Sequence, residues 1–364
     1  MGREATTDTQ IIPAQVEAYL RRRGHPDAKL SSLTPLGQET QAGLKAFGYG
    51  RPLRVDFTAG GKARQLVIRT MSPDPFGHSR RADRAEQMVL AFDRVGTIPD
   101  HIQPVDVGAF GPEGELAAIP EGEFFLVTNY VEGELYAQDL HAIARETKPR
   151  ALDLDRARAL ARYLAELHRQ KEDPAFFARH LRDTVGSGEG IFGQCDGYPG
   201  DDPVVTPQRL RAIEHQSLEW RWKLKERSIR CCRTHGDFHP FNILFRAGTD
   251  FSVLDCSRGG LGEAADDLIA LSINYIFFAM GEVGQLTGAM VALWDTFWET
   301  YLEASGDREV LDVVAPYFAW RTLVLVSPRW YPDLDRQVRE RLLAYAESLL
   351  GGAPFVPGEI RERL

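Results

Sequence analysis

The first third of the chain carries the hydrophobic pattern of short antiparallel strands. Residues 29–36 (KLSSLTPL) predict one strand. The segments LKAFGYGRPLRVDF and RQLVIRT are separated by TAGGKA, and this arrangement predicts a β-hairpin. Residues 79–96 show apolar positions at helical spacing and predict a helix that ends at Gly96. The apolar stretch at 123–133 (EFFLVTNYVEG) predicts a buried strand that ends at Gly133.

Beyond residue 134 the pattern becomes helical. Residues 154–170 predict an amphipathic helix, and residues 206–227 predict another, with Thr206 as its N-cap and Pro207 as its first residue. Apolar positions at helical spacing continue from Ala265 almost to the end of the chain. We therefore predict an α+β chain of two lobes, a small β-rich lobe at 1–133 and a larger, mostly helical lobe at 134–364.

Composition narrows the class of protein. The chain has 364 residues, of which 43% are hydrophobic and 26% are charged, which is ordinary for a globular protein with a real core. A net charge of −9 disfavours nucleic acid as a partner and permits a cationic substrate. Four cysteines without a C-x-x-C pair disfavour a zinc knuckle. The N-terminus has no apolar signal core, and the apolar run at 268–280 is too short to span a bilayer, so we expect a cytoplasmic protein without a membrane partner.

Candidate chemistry is concentrated in residues 234–245 (THGDFHPFNILF) and 253–268 (VLDCSRGGLGEAADDL). The short strand after Asn242 and the one that ends at Asp255 predict a hairpin that brings these two side chains together. Their oxygen atoms are hard ligands suited to Mg²⁺. Asp237, in the loop before the hairpin, is then free to accept a proton. One base, two magnesium ligands and no obvious nucleophile suit phosphoryl transfer.

These two segments resemble the catalytic loop and the magnesium-binding segment of the aminoglycoside phosphotransferase and choline kinase superfamily, which is similar to protein kinases in fold. The resemblance covers roughly residues 30–350. It implies that Asp237 orients or deprotonates an acceptor hydroxyl, that His235 braces the loop, and that Asn242 and Asp255 bind Mg²⁺. The aspartate of the family that matches Asp267 supports the catalytic loop.

The resemblance also implies a nucleotide site for ATP or GTP. Backbone groups of Thr128, Asn129 and Tyr130 would meet the base, and the loop 37–43 would cover the phosphates. Arg69 stands where the family has a lysine that holds the phosphates, a departure because a guanidinium is not interchangeable with an ammonium. Glu86 is the best match for the helix acid that pairs with this cation, and Asp83 is the rival.

The sequence thus predicts a magnesium-dependent kinase that moves the γ-phosphate of ATP to a hydroxyl of a small molecule. An aminoglycoside or an amino alcohol fits, and the acidic balance favours a cationic acceptor. Two alternatives stay open. His235, Asp237 and His239 alternate as H-x-D-x-H, which could face one metal in a hydrolase. Arg69 and the poor glycine loop suit an inactive nucleotide-binding relative.

Overall fold

The computed structural model describes residues 11–36, 52–74, 77–94, 102–122, 124, 126, 128–256, 258 and 260–364. The chain divides into two compact units, Met1–Thr128 and Asn129–Leu364. This boundary falls within residues 128–130, whose backbone groups the family resemblance places against the nucleotide base. The division at residue 133 into a nucleotide-binding lobe and a catalytic lobe stays a prediction.

The described residues of the first unit contain a three-stranded antiparallel sheet and a helix at Arg81–Arg94, as the sequence predicts, and also a helix at Pro13–Arg22 that was not predicted. In the hairpin, Gly60 and Gly61 adopt φ angles of +59° and +71°, the left-handed pair that a two-residue hairpin turn requires. Alternate residues of the central strand, Val55 and Phe57 among them, are buried with the first helix. The described elements are α1 (Pro13–Arg22), β1 (Lys29–Pro35), β2 (Leu53–Ala59), β3 (Lys62–Ile68), α2 (Arg81–Arg94), β4 (Gly108–Phe110) and β5 (Leu116–Ala118), with sheet orders β1-β2-β3 and β4-β5.

The predicted buried strand at 123–133 is wrong where the structure describes it. Residues 124, 126 and 128–133 form no strand. Phe124 is 66% exposed and Leu126 is 87% exposed. A short apolar run does not by itself specify a strand, because a strand also needs a partner for its backbone hydrogen bonds. The strand found here, Glu134–Leu135, begins after Gly133.

The second unit is mostly helical. The predicted helices are confirmed, including the one that begins at Pro207, where the Thr206 hydroxyl accepts the backbone N–H of Arg209 at 3.4 Å. The elements are β6 (Glu134–Leu135), α3 (Tyr136–Ile143), α4 (Ala151–Arg169), α5 (Phe177–Gly186), α6 (Ile191–Asp196), α7 (Pro207–Lys225), β7 (Cys232–Thr234), β8 (Ile243–Phe245), β9 (Phe251–Val253), β10 (Gly260–Gly262), α8 (Ala264–Val283), α9 (Gly288–Ser305), α10 (Ala315–Leu325), α11 (Arg336–Leu350) and α12 (Ile360–Arg363).

Helix α8 forms the centre of this unit. It is the one described helix that is long and apolar enough to cross a membrane, yet 94% of its apolar window is buried inside the protein. The helix has 20 residues and is therefore longer than the apolar run at 268–280 indicates. A core helix buried on all sides has the same composition as a membrane span. The packing of α8 against α9 and α10 accounts for its hydrophobicity here.

Two small sheets fix the ends of the segment that carries the candidate chemistry. Strand β7 pairs with β10, so that Thr234 lies opposite Gly260. Strand β8 pairs with both β6 and β9, so that Ile243 lies opposite Val253. The loop at 235–242 runs from the end of β7 to the start of β8. Its two ends are thus anchored by backbone hydrogen bonds before any side chain is considered.

Candidate active site

The backbone of the loop at 235–242 is held by Asp267, in the first turn of α8. The carboxylate of Asp267 accepts the backbone N–H of His235 at 2.7 Å and that of Gly236 at 2.7 Å. Gly236 has a φ of +84°, a conformation that disfavours any side chain at this turn. Both contacts are of the kind that the family resemblance implies for Asp267.

Asp267 is itself fully buried and needs further partners to stay ionised. The Nε2 atom of His168 lies 3.1 Å from Asp267, and Nδ1 of the same ring lies 3.0 Å from the hydroxyl of Tyr301. Burial alone would raise the pKa of Asp267. The His168 ring and the two N–H groups of the loop outweigh burial and lower this pKa below its usual value. His168 therefore supports the loop through Asp267.

Asp237, the candidate base, is 7% exposed and lies among cations. Its Oδ1 atom accepts hydrogen bonds from Arg321 at 2.7 Å and from Arg258 at 3.2 Å. Its Oδ2 atom lies 3.6 Å from Nε2 of His239. Burial would raise the pKa of Asp237, but the His239 ring and the charges of Arg321 and Arg258 outweigh it and hold this pKa well below its usual range. The carboxylate is therefore ionised and presents Oδ2 for an incoming hydroxyl.

The two histidines of the loop serve its conformation. His235 is buried, and its Nδ1 accepts the backbone N–H of Asp237 at 3.3 Å. His239 caps the short 3₁₀ turn at Pro240–Asn242, because its Nδ1 accepts the N–H of Phe241 at 3.2 Å. These contacts occupy one ring nitrogen of each histidine. The H-x-D-x-H spacing is thus explained by bracing within the loop.

The predicted hairpin brings Asn242 and the segment before Asp255 together. Strands β8 and β9 are antiparallel, and the N–H of Leu254 donates to the carbonyl oxygen of Asn242 at 2.8 Å. The side-chain amide of Asn242 donates to the backbone oxygen of Asp237 at 3.1 Å, which leaves its Oδ1 available as a ligand. Asp255 has a φ of +47°, and among the described residues it is the one non-glycine residue with a positive φ. Such backbone strain is concentrated at functional sites.

The candidate nucleotide contacts lie partly in the first unit. Arg69 follows β3 directly and is exposed, and Glu86 is exposed on α2. Within the described parts of the chain no ion pair joins the two. Asp83, the rival of Glu86, accepts the N–H of Arg80 at 2.7 Å and so caps α2.

The other candidate nucleotide contacts are incompletely described. Thr128, Asn129 and Tyr130 are exposed and have no regular secondary structure. The loop at 37–43 lies outside the described residues. The nucleotide-binding roles of all these residues stay predictions.

Sequence reasoning missed three residues around Asp237: Arg258, Asp266 and Arg321. Arg321 donates to Asp237, and also to the backbone oxygen of Gly236 at 2.9 Å and to Asp266 at 2.8 Å. Asp266 is buried, and burial raises its pKa although Arg321 acts against this. One signal was present: Arg321 interrupts the apolar run PYFAWRTLVLV, and a charge inside such a helix is rarely buried without a partner.

Two surface cavities of the second unit lie elsewhere. Their volumes are about 470 and about 280 Å³, and both are lined by residues that include Trp220 and Asp312. Neither contains Asp237, Asn242 or Asp255. Neither cavity therefore indicates where the acceptor binds. The described residues also contain no group of three or more His, Cys, Asp or Glu side chains that could hold a metal ion.

The chain matches the model of a known protein family over more than half of its length. The profile of the phosphotransferase enzyme family matches residues 61–317, which include the loop, the hairpin and Asp267. This match confirms the superfamily resemblance and its protein-kinase-like α+β fold class. No curated protein matches the chain.

Solved structures align over most of the chain but at low similarity. They include the choline kinase LicA from Streptococcus pneumoniae, at 12% identity over 93% of this chain and 99% of that chain, with a TM-score of 0.35. The macrolide 2′-phosphotransferase MphH from Brachybacterium faecium aligns at 15% identity over 92% and 97%, with a TM-score of 0.32. A glucosamine kinase aligns at 16% identity over 88% and 93%, with a TM-score of 0.38. Scores this low carry no argument about the substrate.

Proposed function

Because the chain belongs to the phosphotransferase enzyme family and is therefore a small-molecule kinase, we propose that it transfers the γ-phosphate of ATP to a hydroxyl group with the help of Mg²⁺. Asp237 orients the acceptor hydroxyl and takes its proton. Asn242 and Asp255 bind the metal. Arg69 steadies the phosphates, with Glu86 as its partner and with Thr128, Asn129 and Tyr130 at the base. We place this activity in the cytoplasm.

The observation that carries the proposal is the state of Asp237. The carboxylate is buried, ionised and fixed through Oδ1 by two arginines, whereas its Oδ2 lies 3.6 Å from Nε2 of His239 and faces no arginine contact. Phosphoryl transfer asks mainly for positioning and charge neutralisation, since little covalent chemistry falls to the protein. An ionised oxygen in a fixed place can orient a hydroxyl group even with a low pKa. The geometry around Asp237 fits this task.

The residues after the loop fit Mg²⁺ as well. Magnesium prefers oxygen ligands and takes few of them from the protein, keeping places for phosphate oxygens. Asn242 offers an amide oxygen whose orientation is set by the bond from its own NH₂ group to Asp237. Asp255 offers a carboxylate next to the strand paired with β8. When bound, the metal would neutralise charge on the phosphates.

The two alternatives have weaker support. A hydrolase would need the ring nitrogens of His235 and His239 for a metal, but each ring already accepts a backbone N–H inside the loop. An inactive relative would be expected to lose the arrangement around Asp237, whereas here two arginines and Asp267 maintain it. We therefore keep the kinase as the proposed function.

The test begins with nucleotide binding. Thermal-shift titrations with ATP and with GTP, each with and without Mg²⁺, should show a rise in melting temperature that depends on the metal, because a ligand that binds only the native state stabilises it. The Asp255→Ala variant should need about tenfold or more nucleotide for the same shift. The matched control is Asp250→Asn, an exposed aspartate in the turn of the same hairpin, which should behave like the unaltered protein.

Transfer is then measured by ADP release with a panel of acceptors. The panel contains amino sugars, amino alcohols, macrolides and the corresponding neutral and acidic hydroxyl compounds, so that the preference for a cationic acceptor is tested directly. Asp237→Asn should reduce transfer by about 10²- to 10⁴-fold, while the magnesium-dependent thermal shift is retained. Near-normal transfer by this variant would contradict the assignment of the base. A thermal shift with metal alone would favour the hydrolase.

A further inference from the structure

Arg321 reaches the reaction centre from a part of the chain outside the family match. That match ends at residue 317, and Arg321 lies in the second half of α10. Arg321 is buried, with 6% of the residue exposed. A buried guanidinium with a planar fork of donors is suited to hold several acceptors in fixed positions.

The donors of Arg321 meet two successive residues of the loop. Its Nη1 donates to Oδ1 of Asp237 at 2.7 Å, and its Nη2 donates to the backbone oxygen of Gly236 at 2.9 Å. The same Nη2 also donates to Asp266 at 2.8 Å. An arginine that served only to neutralise Asp266 would have no need to contact the loop twice. The guanidinium therefore fixes both the side chain of Asp237 and the backbone before it.

The position of Arg321 is set by its surroundings. Its guanidinium stacks on the ring of Trp320, with the central carbon 4.1 Å from the ring centroid. The indole N–H of Trp320 donates to the backbone oxygen of Glu189 at 2.8 Å, which fixes the ring. The Nε atom of Arg321 is buried and has no hydrogen-bond partner in the described structure. The fold thus keeps one donor unsatisfied while both terminal nitrogens reach the loop and Asp266.

Arg258 contributes less to this arrangement. It also donates to Oδ1 of Asp237, but at 3.2 Å. Its side chain is 31% exposed, and its other ion-pair partner is Glu189, whose side chain is 67% exposed. Contacts between exposed charges are weak and screened by solvent. Of the two arginines, Arg321 is accordingly the one that sets the orientation of Asp237.

We propose that Arg321 is a positioning residue for phosphoryl transfer, which commits Oδ1 of Asp237 to its own guanidinium and thereby leaves Oδ2 as the oxygen that receives the acceptor hydroxyl. This inference rests on the proposed function. It adds a residue of the C-terminal helices to the machinery of the reaction. Arg321 acts through Asp237 and contacts neither the phosphate nor the acceptor.

The test compares Arg321→Met and Arg321→Lys with a matched control, Arg339→Met. Arg339 is 8% exposed, donates to the carboxylate of Asp202 at 2.6 Å and to the backbone oxygen of Val326 at 2.8 Å, and makes no contact with Asp237. Each methionine variant therefore removes a buried arginine that donates to at least one carboxylate and to one backbone carbonyl. Each protein is examined under conditions where circular dichroism shows that it is folded.

Hydrogen exchange of the peptide that covers 234–242 is the first readout, and it needs no acceptor. In Arg321→Met the amides of this peptide should exchange at least about tenfold faster, because the loop has lost the hydrogen bonds that Arg321 donates to it. In Arg339→Met they should exchange as in the unaltered protein. Unchanged exchange in Arg321→Met would overturn the proposal, whatever the activity.

Turnover of Mg·ATP is the second readout, measured as ADP release with water as the acceptor and with the best acceptor of the panel. Arg321→Met should lose about 100-fold, the effect of a displacement of about 1 Å in a reacting group, with the affinity for Mg·ATP within about twofold. Arg321→Lys, which keeps the charge, should recover part of the turnover and covers the case that the methionine variant does not fold. A loss no larger than that of Arg339→Met would reject the positioning role. If the unaltered protein does not bind Mg·ATP, the proposed function fails, and the catalytic part of this proposal fails with it.

Discussion

The substitution Asp267→Asn tests how the catalytic loop is held. The carboxylate of Asp267 accepts two backbone N–H groups, from His235 and Gly236, both at 2.7 Å. An asparagine can offer a carbonyl oxygen to one of them, but it must turn its own NH₂ group towards the other. The variant therefore loses a charge-assisted hydrogen bond and leaves a buried donor without an acceptor.

The expected cost follows from these two terms. A hydrogen bond to a charged group contributes about 1.5–3 kcal/mol, and an unsatisfied buried donor costs about 1–3 kcal/mol. Because the two overlap in one contact, we expect Asp267→Asn to lower the free energy of unfolding by about 3 kcal/mol. For a unit of this size each kcal/mol lowers the melting temperature by about 2–4 °C, so the loss should be about 6–12 °C.

The pH dependence gives this prediction a second arm. The pKa of Asp267 is lower in the folded protein than in the unfolded chain. Its charge therefore stabilises the fold above the ordinary carboxyl pKa of about 4, and this contribution is lost as the pH falls through the lower, folded value. Asparagine has no such contribution. The urea midpoint of the unaltered protein should exceed that of Asp267→Asn by its largest amount at pH 7, and this difference should become smaller below about pH 4.

Asp202→Asn is the matched control. Asp202 is also buried, accepts two backbone N–H groups, from Val204 at 2.9 Å and Val205 at 2.7 Å, and has one cationic partner, Arg339. It should lose a similar amount of stability and show the same narrowing with pH, because the pKa of Asp202 is also lowered. Only Asp267→Asn should reduce turnover per folded molecule, by about 100-fold. Equal turnover in the two variants would refute the view that Asp267 acts on the catalytic loop.

Two further predictions concern packing and the nucleotide. In Gly262→Ala the added Cβ would lie 2.4 Å from Nδ1 of the buried ring of His180, so overpacking should destabilise the protein by about 1–3 kcal/mol. The control is Gly186→Ala, whose added Cβ meets nothing within 4 Å and which should leave the melting temperature nearly unchanged. Equal melting temperatures of the two variants would contradict the steric argument. Arg69→Gln should weaken Mg·ATP binding in the thermal-shift titration by about 10- to 100-fold if the guanidinium contacts phosphate. Arg64→Gln, at an exposed position of β3, the strand that Arg69 follows, should not weaken it. Identical titrations would remove Arg69 from the nucleotide site.

Local patterns in the sequence were sufficient wherever neighbouring residues decide the structure. The hairpin at Gly60 and Gly61 needs two residues with positive φ, and glycine supplies both. The helix at Pro207 begins where a threonine cap and a proline predict it. The loop and the hairpin of the candidate site also follow from short-range signals, since the strands on either side of residues 246–250 pair with each other.

Contacts between distant segments could not be predicted in this way. Phe124 and Leu126 look like strand residues, yet whether an apolar run forms a strand depends on a partner that the run does not contain. Arg321 is more instructive. Its charge inside an apolar helix indicates some buried partner, but Asp237 lies 84 residues earlier in the chain, and only the packing of α10 near α8 brings the two together.

Asp266 and Asp267 show why the supports of the loop act together. They are successive residues at the start of α8, and a helix directs successive side chains about 100° apart. Asp267 consequently binds the loop backbone, whereas Asp266 binds Arg321, which in turn binds Asp237. Two buried carboxylates thus share one buried guanidinium. If that guanidinium were removed, Asp266 would lose its ion-pair partner and Asp237 would lose the shorter of its two arginine contacts, and a buried carboxylate is costly without a partner. The arrangement is stable only when α8, α10 and the loop are all in place, and this requirement ties the ionised, oriented state of Asp237 to the folding of the C-terminal helices.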